Sequence, residues 1–135
     1  MADARNASAA VRRWGFLGYW LLMFIGTHVP RIEEVGPGLL FGIPHFDKMA
    51  HFGIFAGWMG LSFWVLRARY ERPGRAAIAG LFVAGVLYAV FDELSQSLVG
   101  RQTSPADFCA DVGGLTVALL LIVIRQRRRT LVRAA

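Results

Sequence analysis

The sequence predicts an all-α fold: an integral membrane bundle of four helices with both termini in the cytoplasm. Three observations carry that expectation. Of the 135 residues, 56% are apolar and the mean hydropathy is +0.47, well above an ordinary soluble domain. The apolar residues gather into four runs, 14–29, 49–66, 76–91 and 108–124. The formal charge of +6 comes from fourteen arginines and one lysine clustered between those runs, a pattern that speaks for a membrane and against nucleic acid. The length allows one domain, residues 1–135. A lone cysteine, Cys109, rules out an internal disulfide and a metal site built from several thiolates.

Each run is 16 to 18 residues long, whereas a hydrocarbon core of about 30 Å takes roughly 20 helical residues. Every helix is therefore expected to continue into polar residues, giving helices over about 12–29, 48–67, 76–97 and 105–125. The first follows Arg12 and Arg13 like the charged start of a signal peptide, but no small-residue cleavage site follows it, so a retained anchor is expected. The connection 31–46, with Pro37 and Pro44, reads as a loop lying in or dipping into the interface. Pro73-Gly74 marks a tight turn between antiparallel helices. Ser104, Pro105 and Asp107 form a helix start with a capping box.

Orientation follows from the arginines. With the N-terminus inside, twelve of the fifteen basic residues are cytoplasmic, and only Arg31, Lys48 and Arg101 lie outside. The acids divide the other way, with only Asp3 and Glu71 inside. Counting about 1.5 Å of rise per residue from Arg67, Arg75 and Arg125 puts His51 about 24 Å, Asp92 about 25 Å, Glu93 about 27 Å, Lys48 about 28 Å, Gln96 about 31 Å and Asp111 about 21 Å above the inner boundary. Three helices thus carry ionisable residues at one level of the outer third of the bilayer. Lipid exposure there is costly, so the groups are expected to face one another. Helical spacing allows this: Asp47 and Lys48 share a face with His51, Tyr88 with Asp92 and Gln96, and Asp107 with Asp111, Gly114 and Ala118.

The run Asp47-Lys48-Met49-Ala50-His51-Phe52 resembles the D-K-x-x-H-F signature of VanZ-like membrane proteins. Tyr88 through Gln96 is similar to that family's aromatic, D-E-x-x-Q block, and Gly100, Arg101, Ser104, Asp107, Asp111 and Gly114 to its G-R-x-x-S-x-x-D-x-x-x-N-x-x-G block. The likeness spans residues 47 to 118. It departs mainly at Asp111, where asparagine is usual; Ala118 stands where a second small residue, often glycine, is usual. The family takes its name from a membrane protein linked to low-level teicoplanin resistance. The resemblance therefore implies a multi-pass membrane protein of the cell envelope, with glycopeptide resistance as an association.

Each candidate has a plainer reading beside the functional one. Asp47, Ser104 and Asp107 can serve as helix caps; Lys48 can snorkel to the headgroups; Arg101 is either a loop arginine or a bidentate anchor for an anionic headgroup. Asp92 and Glu93 point about 100° apart on a helix, so only one is expected at the centre of the cluster. His51 lies too deep to snorkel and reads as a proton carrier or metal ligand beside a carboxylate, or as a histidine bonded within the bundle. His28 and His45 read as interface residues, Cys109 as a small packed residue, and Trp14, Tyr19, Trp20, Trp58 and Trp64 as belt or lipid-facing aromatics. Glycines 53, 57, 60, 80 and 85 read as close helix contacts.

The leading expectation is an inner-membrane protein whose outer polar pocket binds or modifies an envelope lipid or a lipid-linked cell-wall component. In an enzymatic version His51 is the acid or base with Glu93 or Asp92 as partner, and Asp47, Lys48, Gln96, Arg101, Ser104, Asp107 and Asp111 line the binding site. No serine or cysteine stands beside a base to act as a nucleophile. No recognised metal-ligand spacing occurs, so neither a metal nor another cofactor is expected. The partners expected are membrane lipids and, as an open alternative, further copies of the chain. Two other classes remain: a proton- or ion-coupled transporter or accessory subunit, and a structural bundle whose polar cluster specifies packing.

Overall fold

The structure, a computed structural model, describes residues 2–28, 45–70 and 73–134, and the side chains of 7–28, 45–70 and 73–129. Four helices account for nearly all of them: α1 (Ala2–His28), α2 (Phe46–Arg69), α3 (Arg75–Gln96) and α4 (Pro105–Ala134), with one 3-10 turn at Ser97–Val99. The all-α bundle is as the sequence predicts, but two boundaries move. α1 begins ten residues before Arg12, because the Ala-rich start extends the helix outward. α4 continues nine residues past Arg125 through a basic segment that keeps good helix formers. The connection expected at 31–46 lies outside the described residues from 29 to 44.

The turns have local causes. Pro73 is buried and Gly74 takes the extended N-cap conformation of α3 (φ −65°, ψ 162°), so the Pro-Gly pair both ends the connection and starts the helix. Gly100 adopts φ 79°, the left-handed conformation that reverses the chain between the 3-10 turn and α4. At the start of α2, His45 occupies the cap position with φ 61° and no side chain caps the helix.

α1 lies antiparallel along α2: Arg12 stacks over Trp64, Phe16 meets Trp58 with ring centroids 6.1 Å apart, and the Tyr19 hydroxyl donates to the Ile54 carbonyl at 2.7 Å. α2 and α4 form the most extensive pair. A Cβ at Gly114 would run into the Phe52 carbonyl and lie 3.0 Å from the Ala56 nitrogen, so the missing side chain sets that approach. Gly57 makes room for Tyr19, and Gly85 for Leu115 and Trp58. Gly53, Gly60 and Gly80 face open space and are not the close contacts that the sequence suggested.

The apolar core is small: Met23, Phe55, Trp58, Met59, Ile78, Ala89 and Leu115. Trp58 therefore packs inside and is no belt aromatic, and Tyr19 packs against the same core, whereas Trp14, Trp20 and Trp64 are exposed. Cys109 is exposed on α4 and is not packed. The outward surface carries large apolar side chains, among them Leu22, Ile25, Leu87, Leu94 and Leu121, while Thr27, His51, Asp92, Glu93, Gln96, Asp107 and Asp111 are buried. Apolar outside and polar inside inverts the distribution of a soluble globule. Three helical stretches, Phe46–Arg69, Arg75–Val99 and Pro105–Arg129, are long and apolar enough to cross a membrane. α1 is not among them: Arg12 and Arg13 precede its apolar part, and glycine, tyrosine, tryptophan, threonine and histidine dilute it.

Candidate functional site

Except for Ser62, the buried polar and charged residues assemble where the C-terminal ends of α1 and α3 meet the N-terminal ends of α2 and α4. Three clusters share this end of the bundle. In the first, Asp92 is fully buried. Its Oδ1 accepts from the Thr27 hydroxyl at 2.8 Å and its Oδ2 from the Gln96 amide at 2.9 Å, one turn further along α3. His28 closes over this pair. Its Nδ1 lies 2.8 Å from the Phe24 carbonyl and its Nε2 2.9 Å from the Ser95 hydroxyl, and its ring stacks on Phe24 at 4.0 Å. Because a carbonyl can only accept, Nδ1 carries a proton.

The second cluster is central. His51 Nδ1 and Asp111 Oδ1 are 2.9 Å apart, with both residues buried. Glu93 lies beside them: atoms of His51, Glu93 and Asp111 come within 4.8 Å of one another. Glu93 Oε2 accepts from the Ser104 backbone N–H at 2.8 Å, while Glu93 Oε1 and Asp111 Oδ2 are buried without a hydrogen-bond partner. The Tyr88 hydroxyl, one turn before Asp92 on α3, is also buried and unpartnered.

The third cluster lies one turn outward from the second on two helices. Lys48 Nζ bridges Asp47 Oδ2 at 2.8 Å and Asp107 Oδ1 at 2.9 Å. Lys48 precedes His51 by three residues and Asp107 precedes Asp111 by four, so helical periodicity sets the stacking of ion pair over histidine–aspartate pair. Arg101 Nη1 donates to the Thr27 carbonyl at 2.6 Å, satisfying one of the free carbonyls at the end of α1.

The structure thus brings the residues nominated from the sequence to one end of the bundle, several of them in altered roles. Asp47 is not the cap of α2, whose cap position His45 fills; it pairs with Lys48 instead. Ser104 does cap α4, its Oγ accepting from the Asp107 N–H at 3.3 Å. The reciprocal half of the expected capping box is supplied by Glu93 from α3, because the Asp107 carboxylate is drawn to Lys48. Asp92 and Glu93 are both buried and neither is left to a headgroup, since α3 runs between α1 on one side and α4 on the other.

Two participants were missed. His28, read as an interface residue, belongs with Thr27 to the first cluster. Only their place at the polar end of the first apolar run, level with the acids of the third, could have signalled it. His45 is exposed at the mouth of the same end.

What the arrangement can do chemically follows from its balance. Among the described residues the buried set has four carboxyl groups, Asp92, Glu93, Asp107 and Asp111, against one imidazole. Such a set favours cations, hydroxyl or amine groups, or anions approached through a cation. Comparison of the chain with protein-family models, with curated proteins and with solved structures gives no match, so the functional reading rests on this geometry and on the motif resemblance.

Proposed function

We propose that the chain is a multi-pass protein of the bacterial inner membrane whose polar end, facing the extracytoplasmic side, binds the head of an amphipathic envelope molecule, a lipid or a lipid-linked cell-wall component. The observation that carries this reading is the central cluster: two buried carboxylate oxygens, on Glu93 and Asp111, have no hydrogen-bond partner among the described residues inside an otherwise lipid-facing bundle. Buried polar atoms are normally satisfied, and exceptions mark sites. The twelve-to-three division of basic residues supports the orientation. Four passes are supported by α1, whose residues 12–19 run antiparallel beside residues 54–64 of α2 and whose Thr27 and His28 reach Asp92 and Ser95 of α3. His51 with Asp111 has the arrangement of an acid–base imidazole held by a carboxylate, so proton transfer to a bound hydroxyl or phosphate is the chemistry within reach. The motif resemblance links this reading to the VanZ-like group and, by association only, to glycopeptide resistance.

A one-sided site is favoured over a proton-conducting path, because among the described residues every buried ionisable side chain lies at this one end. Native mass spectrometry of protein purified in mild detergent tests the reading. Wild-type protein is expected to carry a lipid-like adduct that Glu93→Gln loses while still folded. Bare protein across several lipid extracts would overturn it. Orientation is checked in a Cys109→Ser background: Thr103→Cys should label from the extracytoplasmic face, and labelling only from the cytoplasm would reverse the assignment.

A further inference from the structure

The geometry points to a second property of the central cluster: we propose that His51, Glu93 and Asp111 bind one divalent transition-metal ion of the zinc or manganese type. Each residue comes from a different helix and offers one ligand atom, with all three atoms within 4.8 Å of one another. A point therefore exists within about 2.8 Å of all three, the quotient of 4.8 Å and √3, against metal bonds of about 2.0–2.2 Å to imidazole nitrogen and carboxylate oxygen. Side-chain movements of roughly 0.7 Å close that difference. The 2.9 Å between His51 and Asp111 already equals the spacing of two adjacent ligands set at right angles about 2.1 Å from an ion.

Three independent features favour an ion at this point. Glu93 is 6% exposed and Asp111 0%, and each has one oxygen with no partner. The other Glu93 oxygen is fixed by the Ser104 N–H, as the outer contacts of metal-binding carboxylates usually are. The buried acids outnumber the buried bases, and Lys48 and Arg101 are committed elsewhere, to Asp47 and Asp107 and to the Thr27 carbonyl. A divalent cation offsets two of those charges where a bilayer would otherwise leave them uncompensated. One imidazole with two carboxylates is a mixed nitrogen–oxygen set; carboxylates alone would suit magnesium or calcium, and imidazole shifts the preference to zinc or manganese.

Three protein ligands would leave at least one coordination position for a further ligand. An ion there would hold a phosphate oxygen, which explains how an acidic cluster can accept an anionic head. This last role rests on the lipid reading of the preceding section, whereas binding of the ion does not.

The experiment is metal analysis of tag-free, detergent-purified full-length protein titrated with Zn2+ or Mn2+ alone. Wild type is expected to bind one ion per chain and to unfold at a higher temperature with it. Glu93→Gln and Asp111→Asn are each expected to weaken binding at least tenfold, and His45→Asn, at an exposed histidine, to leave it unchanged. Should the variants not accumulate, Cu2+ in the wild-type protein should show the electron-spin-resonance splitting of a single imidazole nitrogen. Folded wild-type protein that binds no ion, binding that survives the Glu93 and Asp111 changes, or a copper spectrum without nitrogen splitting overturns the proposal. Metal-loaded protein free of lipid retains this inference and removes the lipid reading; lipid held equally well by metal-free protein retains the lipid reading and removes the ion's role in holding the phosphate.

Discussion

The two ends of the bundle hold opposite charges by opposite means. At one end four carboxyl groups are buried and bonded to backbone, hydroxyl, amide, imidazole and ammonium groups on neighbouring helices. At the other, Arg67, Arg69, Arg75, Arg125, Arg127, Arg128 and Arg129 are all exposed. Beside those arginines lies a cavity of about 850 Å³ between α1, α2 and α3, lined by Arg13, Phe16, Trp58, Ser62, Leu66 and Arg69. The Ser62 hydroxyl and the Trp58 indole N–H are buried there without partners. Charge thus has different consequences at the two ends. The acids bind helices to one another, and the arginines meet whatever lies outside.

That contrast can be broken most forcefully at His51. His51→Ala leaves Asp111 buried without its partner and is expected to lower stability in detergent by about 3–5 kcal/mol, read as a large drop in unfolding temperature. A loss below 1 kcal/mol would show that the pair does not hold α2 to α4. Gly114→Ala forces a methyl group against the Phe52 carbonyl and should cost about 1–3 kcal/mol in the same assay. Gly53→Ala and Gly80→Ala, with open space around them, should be neutral or stabilising by up to about 1 kcal/mol. Equal effects at the three positions would remove the close approach of α2 and α4 from the account.

Ser104→Ala removes the side-chain half of the α4 cap and should cost about 1 kcal/mol in thermal unfolding. At the arginine end the effects shrink. Arg12→Gln, which removes the stacking over Trp64 at 5.1 Å from the ring centroid, should cost about 0.5–1 kcal/mol. Arg69→Gln should change stability by less than about 0.5 kcal/mol. A loss at Arg69 as large as the one at His51 would erase the distinction between the ends.

The sequence displays this difference unevenly. The existence of α2, α3 and α4 was legible because long apolar runs bounded by arginine have few alternatives in a membrane. The common depth of His51, Asp92, Glu93, Gln96 and Asp111 was legible too, because helical rise is constant. Pairing was not. Whether the N–H of Ser104 meets Asp107, three residues on, or Glu93, eleven residues back, depends on Lys48 competing for Asp107 from a third helix. His28 and Thr27 escaped for a related reason: their partners Ser95 and Asp92 are more than sixty residues away and leave no helical spacing to read. The metal-competent trio has no local spacing signal either, since its members come from three helices.

The bond from the Ser104 N–H to Glu93 also bears on how the chain enters the bilayer. α3 and α4 each carry two carboxyl groups, and a single helix inserting alone would present them to lipid at about 2.5–3.5 kcal/mol for an aspartate near mid-membrane. The reversal at Gly100 and the Glu93 cap join the two helices through eleven residues of chain, so part of that burden is relieved within the hairpin itself. His51 and Lys48, the partners of Asp111 and Asp107, lie on α2, which precedes the hairpin in the chain. Insertion of α3 and α4 as one hairpin against a waiting α2 is the order that exposes the fewest charges, which makes the short turn 97–104 an assembly element as much as a connection.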